Sequence, residues 1–493
     1  MCNRVPLCGI YQENASQRLV PAEEVKETAA PLASHDDGPL EEEETSMHRN
    51  RGVVRAVRAL FVLAIMAALA TASPVAATAR RAAPSTVDLK FQVWSYSVPT
   101  IQSNIKRFEA LHPDVNVELS DTSWFDYHDV LATRFTGGDA PDIAYSSDHW
   151  LREWVAAKWI APLDQYFPEF KKYQKEWAPY AREGMTLNGH LYGLPYYADL
   201  IDFLYNANQV KKAGFSGAPK TWDDVKKISL ALKQKGIVQY PLNIPLKKDD
   251  PWLIEIFYSM VYGNGGHMFD QKDNPVFDRA GSPAEKTLQW LQNAMTKWKI
   301  LNPAGPESAE PDVVKTMGAG RSAFTVLAKY NLAELNLGQH KEAGHFKLAL
   351  MPGKTHSTVG FVRFYALTTH GAGRGSDVVK NAGDFLQYFG GKTGGQYKVE
   401  KRWALEKGLG FANLPLYNDR QVKKAINKWG SVTLERSQAK LAHVKEGLTP
   451  FWGVWDISAR EELDKAILGQ ESPRQALKNM ANRWKQLKKQ YGG

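Results

Sequence analysis

"PDIAYSSDHWLREW" (residues 141–154) decides the fold. Its first half is a short, apolar, extended piece that runs into Ser146, Ser147, Asp148 and His149. Its second half places Trp150, Leu151, Trp154 and Val155 at the spacing of one helical face. A strand that passes directly into a helix is half of a β-α repeat. Upstream, "VDLKFQVW" (87–94) alternates Val87, Leu89, Phe91 and Val93, which predicts a strand. Ile101, Ile105, Phe108 and Leu111 follow at helical spacing, and His112-Pro113 stops that helix. "VNVEL" (115–119) alternates again, a further helical segment follows, and Gly137-Gly138 ends it. Strand-helix-strand-helix-strand predicts a parallel sheet with helices on both faces. In such sheets ligands bind beyond the carboxyl ends of the strands. Three loops qualify, 94–98, 120–124 and 146–149.

Serine, aspartate and histidine in a row invite a hydrolase reading. A catalytic triad is assembled in space rather than along the chain, so adjacency lends it no support. Asp148 is also well placed to cap the helix that follows. There is no G-x-S-x-G elbow and no H-E-x-x-H, and the twelve histidines are scattered. "GGKTGG" (390–395) ends like a phosphate-binding loop, but Leu386 stands where its first glycine belongs. No catalytic residue, metal site or cofactor is expected.

With 493 residues the chain exceeds one ordinary core, so two lobes are expected. Apolar residues make up 43% and charged residues 23%, a globular balance. Cys2 and Cys8 are the two cysteines, so the rest of the chain can hold neither a disulfide framework nor a Cys-ligated zinc. Residues 47–79 read as an export signal. Arg49, Arg51, Arg55 and Arg58 precede an uncharged apolar run, and Ala77-Thr78-Ala79 forms a cleavage site. Residues 1–46, with an acidic run at Glu41 to Glu44, read as a mis-assigned start or a disordered leader. No cysteine sits at the cleavage site, so a periplasmic product without a lipid anchor is expected. Residues 1–79 hold 7 Lys+Arg and 10 Asp+Glu, which leaves 55 basic and 43 acidic residues and a net +12 beyond them. Basic runs such as 485–489 lie on a helix face without interleaved aromatics, so nucleic acid is not an expected partner. The positive excess suits either an anionic ligand, an anionic surface nearby, or simple solubility.

The residues also carry a family resemblance. In order along 87–485 come the first strand ending in Trp94, "FEALHPDVNVEL", "GGDAPDIAYSSDHWLREWVAAKWIAPLD", "LNGHLYGLPYYADLIDFLYNANQVKKAG", "PKTWDDV", "MGAGRSAFTV", "MPGK" and "ILGQESPRQAL". This series resembles the family 1 extracellular solute-binding proteins of ABC transporters, the maltose-binding-protein-like, sugar-binding group. The resemblance implies an α/β, two-lobed, type II periplasmic-binding-protein-like fold, with doubly wound sheets joined by crossing strands at a hinge. The N-lobe would comprise 80–198 and 357–404, the C-lobe 199–356 and 405–493. Crossings would fall near Asp199, near 351–360 and near 403–410. It further implies a carbohydrate held in the cleft of a monomer and delivered to membrane permease subunits.

The same resemblance marks residues. Asp148 aligns with a sugar-binding aspartate and Asp199 with a binding glutamate. Asp250-Pro251-Trp252 resembles a Glu-Pro-aromatic ligand segment. Tyr330 and Trp455 lie at or near stacking positions. Trp94, Ser95, Tyr96, Trp124, Ser146, Ser147, Tyr196, Gly360, Arg363 and Trp452 complete the expected binding set. Two other readings stay open. One is an exported carbohydrate-active enzyme that uses Asp148 and Asp199 as paired carboxylates. The other is a binding protein for an anionic sugar or glycerophosphodiester, with Arg363 and Lys329 as counter-charges.

Overall fold

The computed structural model describes residues 86–492, so the expected leader and export signal lie outside the described residues. Strands β1 (Val87–Trp94), β2 (Val115–Thr122) and β3 (Ile143–Ser147) alternate with helices α1 (Val98–Glu109) and α2 (Trp124–Gly137). β1 is parallel to β2 from Val87 opposite Val115 to Trp94 opposite Thr122, and parallel to β3 at Phe91 opposite Ile143. α1 buries Ile101, Ile105 and Phe108, three of the four residues whose spacing predicted it, while Leu111 lies beyond its end and is exposed. Ser123 caps α2 by accepting from the Asp126 amide, and Gly138 ends it in the left-handed region at φ 79°.

Two long strands form the centre. β4 (Leu194–Asn206) and β7 (Thr358–Leu367) are antiparallel, with Tyr197 opposite Arg363 and Asp199 opposite Phe361. β7 also runs antiparallel to β3, where Ser147 faces Arg363. β5 (Phe324–Ala328) and β6 (Phe346–Ala349) pair with the distal half of β4, and the short β8 (Ala442–His443) pairs with the start of β7. The eight strands are therefore linked through the central pair into one sheet rather than two separate ones.

β4 and β7 each pass from one apolar core to another. Leu194, Tyr196, Ala198 and Leu200 of β4, with Val362, Phe364 and Tyr365 of β7, pack in the first core. Ile201 and Phe203, with Val359 and Phe361, pack in the second. The passages fall at 200–201 and 361–362. Burial on both faces explains why these strands read as nearly continuous apolar runs.

The last passage, expected near 403–410, is less sharply marked. Leu409, Phe411, Leu416, Tyr417, Ala439 and Ala442 still pack in the first core, and the second core resumes at Leu448, Phe451 and Trp452. Between these, Trp429 and Leu434 pack against a third apolar cluster that includes Leu204, Leu327, Phe346 and Leu348, so 409–442 touches both sides and packing marks no single changeover there. The reason is that 398–441 folds into short helices α4 (Lys398–Lys407), α5 (Arg420–Trp429) and α6 (Val432–Leu441). No crossing strand interrupts them, so pattern alone gives no marker.

Helices supply the second core's walls. The segment Trp222–Gln234 starts with a Thr221/Asp224 capping box. The strongly apolar α3 (Trp252–Gly263) is buried almost throughout. α7 (Trp452–Ile467) packs on α8 (Pro473–Gln490), which Ser472 caps and Pro473 begins. No helix of the described residues is long and apolar enough to cross a membrane.

Candidate ligand-binding site

β3 ends where the two cores meet. Asp148–Trp150 forms a 3-10 turn whose side-chain cap is unused. The Asp148 carboxylate is instead turned toward β7, where Arg363 Nη1 donates to its Oδ1 at 2.7 Å. Ser147 Oγ donates to the same oxygen at 3.0 Å. Arg363 Nη2 lies 3.9 Å from Glu255 of α3, and Lys445 pairs with that same glutamate. All four charged side chains are 3% exposed or less. The order Asp148–Arg363–Glu255–Lys445 alternates in sign and sums to zero. Alternation is what makes four buried charges tolerable, since each gains an opposite neighbour for the water it gave up.

Burial alone would push the Asp148 carboxyl up. The adjacent His149 ring and the charges of Arg363 and Lys445 outweigh it and hold the group well below the usual carboxylate range. His149 is pushed down to about 3 by burial, with Lys445 and Arg363 adding to it, against the pull of Asp148. Several atoms of this cluster are buried without a protein partner: Asp148 Oδ2, Glu255 Oε2 and Arg363 Nε. Buried polar groups seldom go unbonded. Two acceptors and one donor at the meeting of the cores are the complement of a polyhydroxylated guest.

Aromatic rings surround the cluster. The Arg363 guanidinium lies 4.6 Å from the Phe361 ring centre and 5.4 Å from that of Trp124. Phe361 is flanked by Trp252 at 6.0 Å and Tyr197 at 6.1 Å. Lys445 lies 5.2 Å from the Trp452 ring, which is 6.0 Å from His149. Glu310 is pushed up to about 7 by burial, with nearby Asp250 adding, against hydrogen bonds from Asn331, Tyr330 and Trp252. Tyr96 sits exposed at the rim, its ring 6.2 Å from Trp403. Asp148 and Lys445 also wall a cavity of about 470 Å³, together with Arg152, Gly184, His267 and Glu446. Arg152 reaches Asp273 at 3.3 Å beside it.

The expected residues therefore divide. Trp124, Ser147, Asp148, Trp252, Arg363 and Trp452 come together around Phe361 and the ion chain, Tyr330 lies beside Glu310, and Tyr96 is exposed next to Trp403. Trp94 does not join the cluster. It is buried among Trp124, Tyr127, Tyr145 and Tyr196. Tyr196 is likewise a core residue, stacked on Tyr145 at 4.4 Å, because strand alternation gives the site face of β4 to Tyr197 and Asp199. Ser146 takes the other face of β3 from Ser147 and is fully buried opposite Phe364. Ser95 is exposed and donates to Asp121. Trp455 is fully buried, its Nε1 donates to the Met480 carbonyl, and Phe269 and Trp484 enclose it. Gly360 is a packing position, where a Cβ would meet the Tyr180 ring at 2.6 Å.

Two expected carboxylates are engaged locally. Asp199 accepts from the Gly410 and Leu200 amides, both at 2.9 Å, which ties β4 to the segment after α4. Asp250 accepts from the Trp252 amide at 3.1 Å and is pushed up to about 6 by burial. Sequence reasoning passed over Tyr197, Glu255, Glu310, Phe361 and Lys445. Glu255 alone had a readable signal, as a single charge inside the apolar run "WLIEIFYSMVYG".

The geometry also bears on catalysis. Ser147 Oγ and Asp148 Oδ1 both approach the same nitrogen of His149, Nδ1, at 2.9 and 3.7 Å. A proton relay needs nucleophile and carboxylate on opposite ring nitrogens. Asp148 is locked in an ion pair and Asp199 in backbone hydrogen bonds, so neither stands ready as an acid or base for glycoside cleavage.

Comparison with known proteins agrees with this picture. The model of the bacterial extracellular solute-binding protein family matches residues 94–396. The maltotriose-binding protein of Pyrococcus abyssi (strain GE5 / Orsay) is 25% identical over 197 residues, which is 38% of this chain and 40% of that protein. The lactose-binding protein of Rhizobium radiobacter is 24% identical over 305 residues, 59% of this chain and 67% of that protein. The match thus spans less than half of the first relative's length. Among solved structures, maltose-bound MalE3 of T. maritima superposes with a TM-score of 0.71 at 18% identity, covering 82% of this chain and 100% of that one. A solute-binding protein of Agrobacterium vitis S4 with bound D-mannitol gives 0.67 at 20% identity, covering 83% and 99%. These likenesses establish the two-lobed fold, and with the matched segment they place the chain in the bacterial extracellular solute-binding protein family.

Proposed function

We propose that the chain captures a neutral carbohydrate or polyol between its two lobes and passes it unaltered to the permease of an ABC importer. The observation that carries this reading is the charge-balanced chain Asp148–Arg363–Glu255–Lys445, with unpartnered acceptors and a donor under a ring of aromatics. Ionised carboxylates accept strongly from hydroxyls, and aromatic faces cover the C–H surface of a sugar. The named ligands of the relatives and structural neighbours point the same way. In this reading the two central strands change lobe at 200–201 and 361–362. Closure about β4 and β7 would be driven by guest contacts made to both lobes at once. Export by the 47–79 signal would put the protein in the periplasm, as a monomer.

An anionic guest is less well served. Arg363 is already bonded to Asp148, and Lys329 lies 3.8 Å from Glu435 and is surrounded by Asp199 and Asp202. A melting screen separates the readings, because a guest bound only by the folded state raises the melting temperature. Maltotriose, lactose, mannitol and related neutral sugars form one arm, and uronic acids and glycerophosphodiesters the other. Stabilisation confined to the acidic arm would overturn the neutral-guest reading.

A further inference from the structure

The cleft is charge-balanced, so the chain's positive excess must reside elsewhere. Residues 398–440 carry ten Lys+Arg against four Asp+Glu, half of the net +12 found beyond residue 79. They build α4, α5 and α6, which pack each on the next. All four acids are taken. Glu400 is buried and accepts from the Ala412 amide and Asn413 Nδ2. Glu435 is buried beside Lys329. Asp419 pairs with Lys401 at 2.8 Å and Glu406 with Arg402 at 2.7 Å. Exposed and without a carboxylate partner among the described residues are Arg420, Lys423, Lys424 and Lys428 of α5. Their spacing of i, i+3, i+4 and i+8 puts them along one side of the helix. Val422 is its one buried residue, and no acid occurs in it. Trp429 closes α5 half-buried, its ring 4.9 Å from Lys428 Nζ and 5.7 Å from Lys347 Nζ of β6.

We propose that the α5 face docks on an anionic phospholipid surface. Three of the four cations are lysines, which are compact, strongly hydrated point charges without the fork that reads one fixed partner. Dispersed along one exposed side of a helix, they fit a diffuse field of headgroups better than a single protein epitope. A tryptophan at the end of a basic amphipathic helix is the side chain that settles at a headgroup boundary. Each cation near such a surface contributes about 1 kcal/mol, within a Debye length of about 8 Å at physiological salt. The contact would hold the protein close to the membrane and raise its effective concentration there. It stands independently of the carbohydrate reading.

Co-sedimentation with phosphatidylglycerol-containing and pure phosphatidylcholine vesicles, at low and high salt, tests it. The variant Lys423→Glu/Lys424→Glu/Lys428→Glu is compared with Lys211→Glu/Lys212→Glu/Lys227→Glu, an equal charge change on other exposed lysines. The expected result is salt-sensitive binding of the wild type to the anionic vesicles alone, weakened at least tenfold by the α5 variant and little by the control. An unaltered melting temperature shows that the variants fold. Equal weakening by both variants would mean that net charge alone acts, and absence of wild-type binding at low salt would mean no lipid contact. Either result overturns the proposal.

Discussion

Replacing Arg363 by methionine keeps the side chain's length and apolar packing against Phe361 and removes the charge that Asp148 relies on. Asp148 would keep Ser147 and His149 as neighbours but lose its 2.7 Å partner inside a fully buried setting. Breaking one side of a buried ion pair typically costs about 3–5 kcal/mol, because the remaining charge is left uncompensated. With an unfolding entropy of about 2.1 cal/mol/K per residue over roughly 400 residues, that is a melting-temperature drop of about 4–6 °C. The decisive form is a double-mutant cycle with Asp148→Asn. Once Arg363 is gone, neutralising Asp148 should restore stability, so the two changes together should cost at least ~2 kcal/mol less than their sum. Thermal and denaturant unfolding of the four proteins measures this. Additivity within ~0.5 kcal/mol would refute the coupling, and with it the reading of the four charges as one balanced unit.

Trp252→Ala should weaken guest binding tenfold or more with a small change in melting temperature, whereas Trp455→Phe should lower stability and leave the affinity of the folded protein unchanged; calorimetric titration and unfolding of the same two proteins check this. Gly360→Ala drives a methyl into the Tyr180 ring, 2.6 Å away, and should cost about 1–3 kcal/mol in denaturant unfolding. Glu310 has its folded value raised from the ordinary 4.5 to about 7, so its stabilising share is fully present below 4.5 and is lost as pH rises through 7. Glu310→Gln does not titrate, so the variant should gain on the wild type by roughly 1–3 kcal/mol between acidic and mildly alkaline pH, the lower figure allowing for partial exposure. A melting-temperature difference that stays constant with pH would show that Glu310 does not titrate in that range.

The parallel β-α-β start was legible because β1 and β2 alternate, β3 is a short run buried throughout, α1 has an apolar stripe with a stop, and Gly137-Gly138 ends α2. The crossing strands were placed by the family resemblance, near Asp199 and 351–360, and the cores change at 200–201 and 361–362. The third passage was not legible, since 398–441 folds into short helices whose few apolar residues divide between two clusters. For the site, the resemblance singled out Asp148, Trp252 and Tyr330 but could not say what they touch. Asp148 reads as a free sugar ligand in sequence, while its bond to Arg363 joins residues 215 positions apart. Tyr196 and Tyr197 are equivalent in pattern, and the irregular register between Pro195 and Tyr197 determines which one faces the site. Trp452 and Trp455 sit one helical turn apart, and packing by Phe269 and Trp484, from distant segments, claims Trp455 for the core.

Titration calorimetry with whichever neutral sugar emerges from the melting screen, at low and high salt, followed by release of the guest on denaturation and its identification by mass, tests the central claim most directly. One guest per chain, an affinity insensitive to salt and an intact molecule recovered at the end are the predicted results. Saturable binding by acidic sugars alone that fades with salt, or recovery of a cleaved guest, would contradict it.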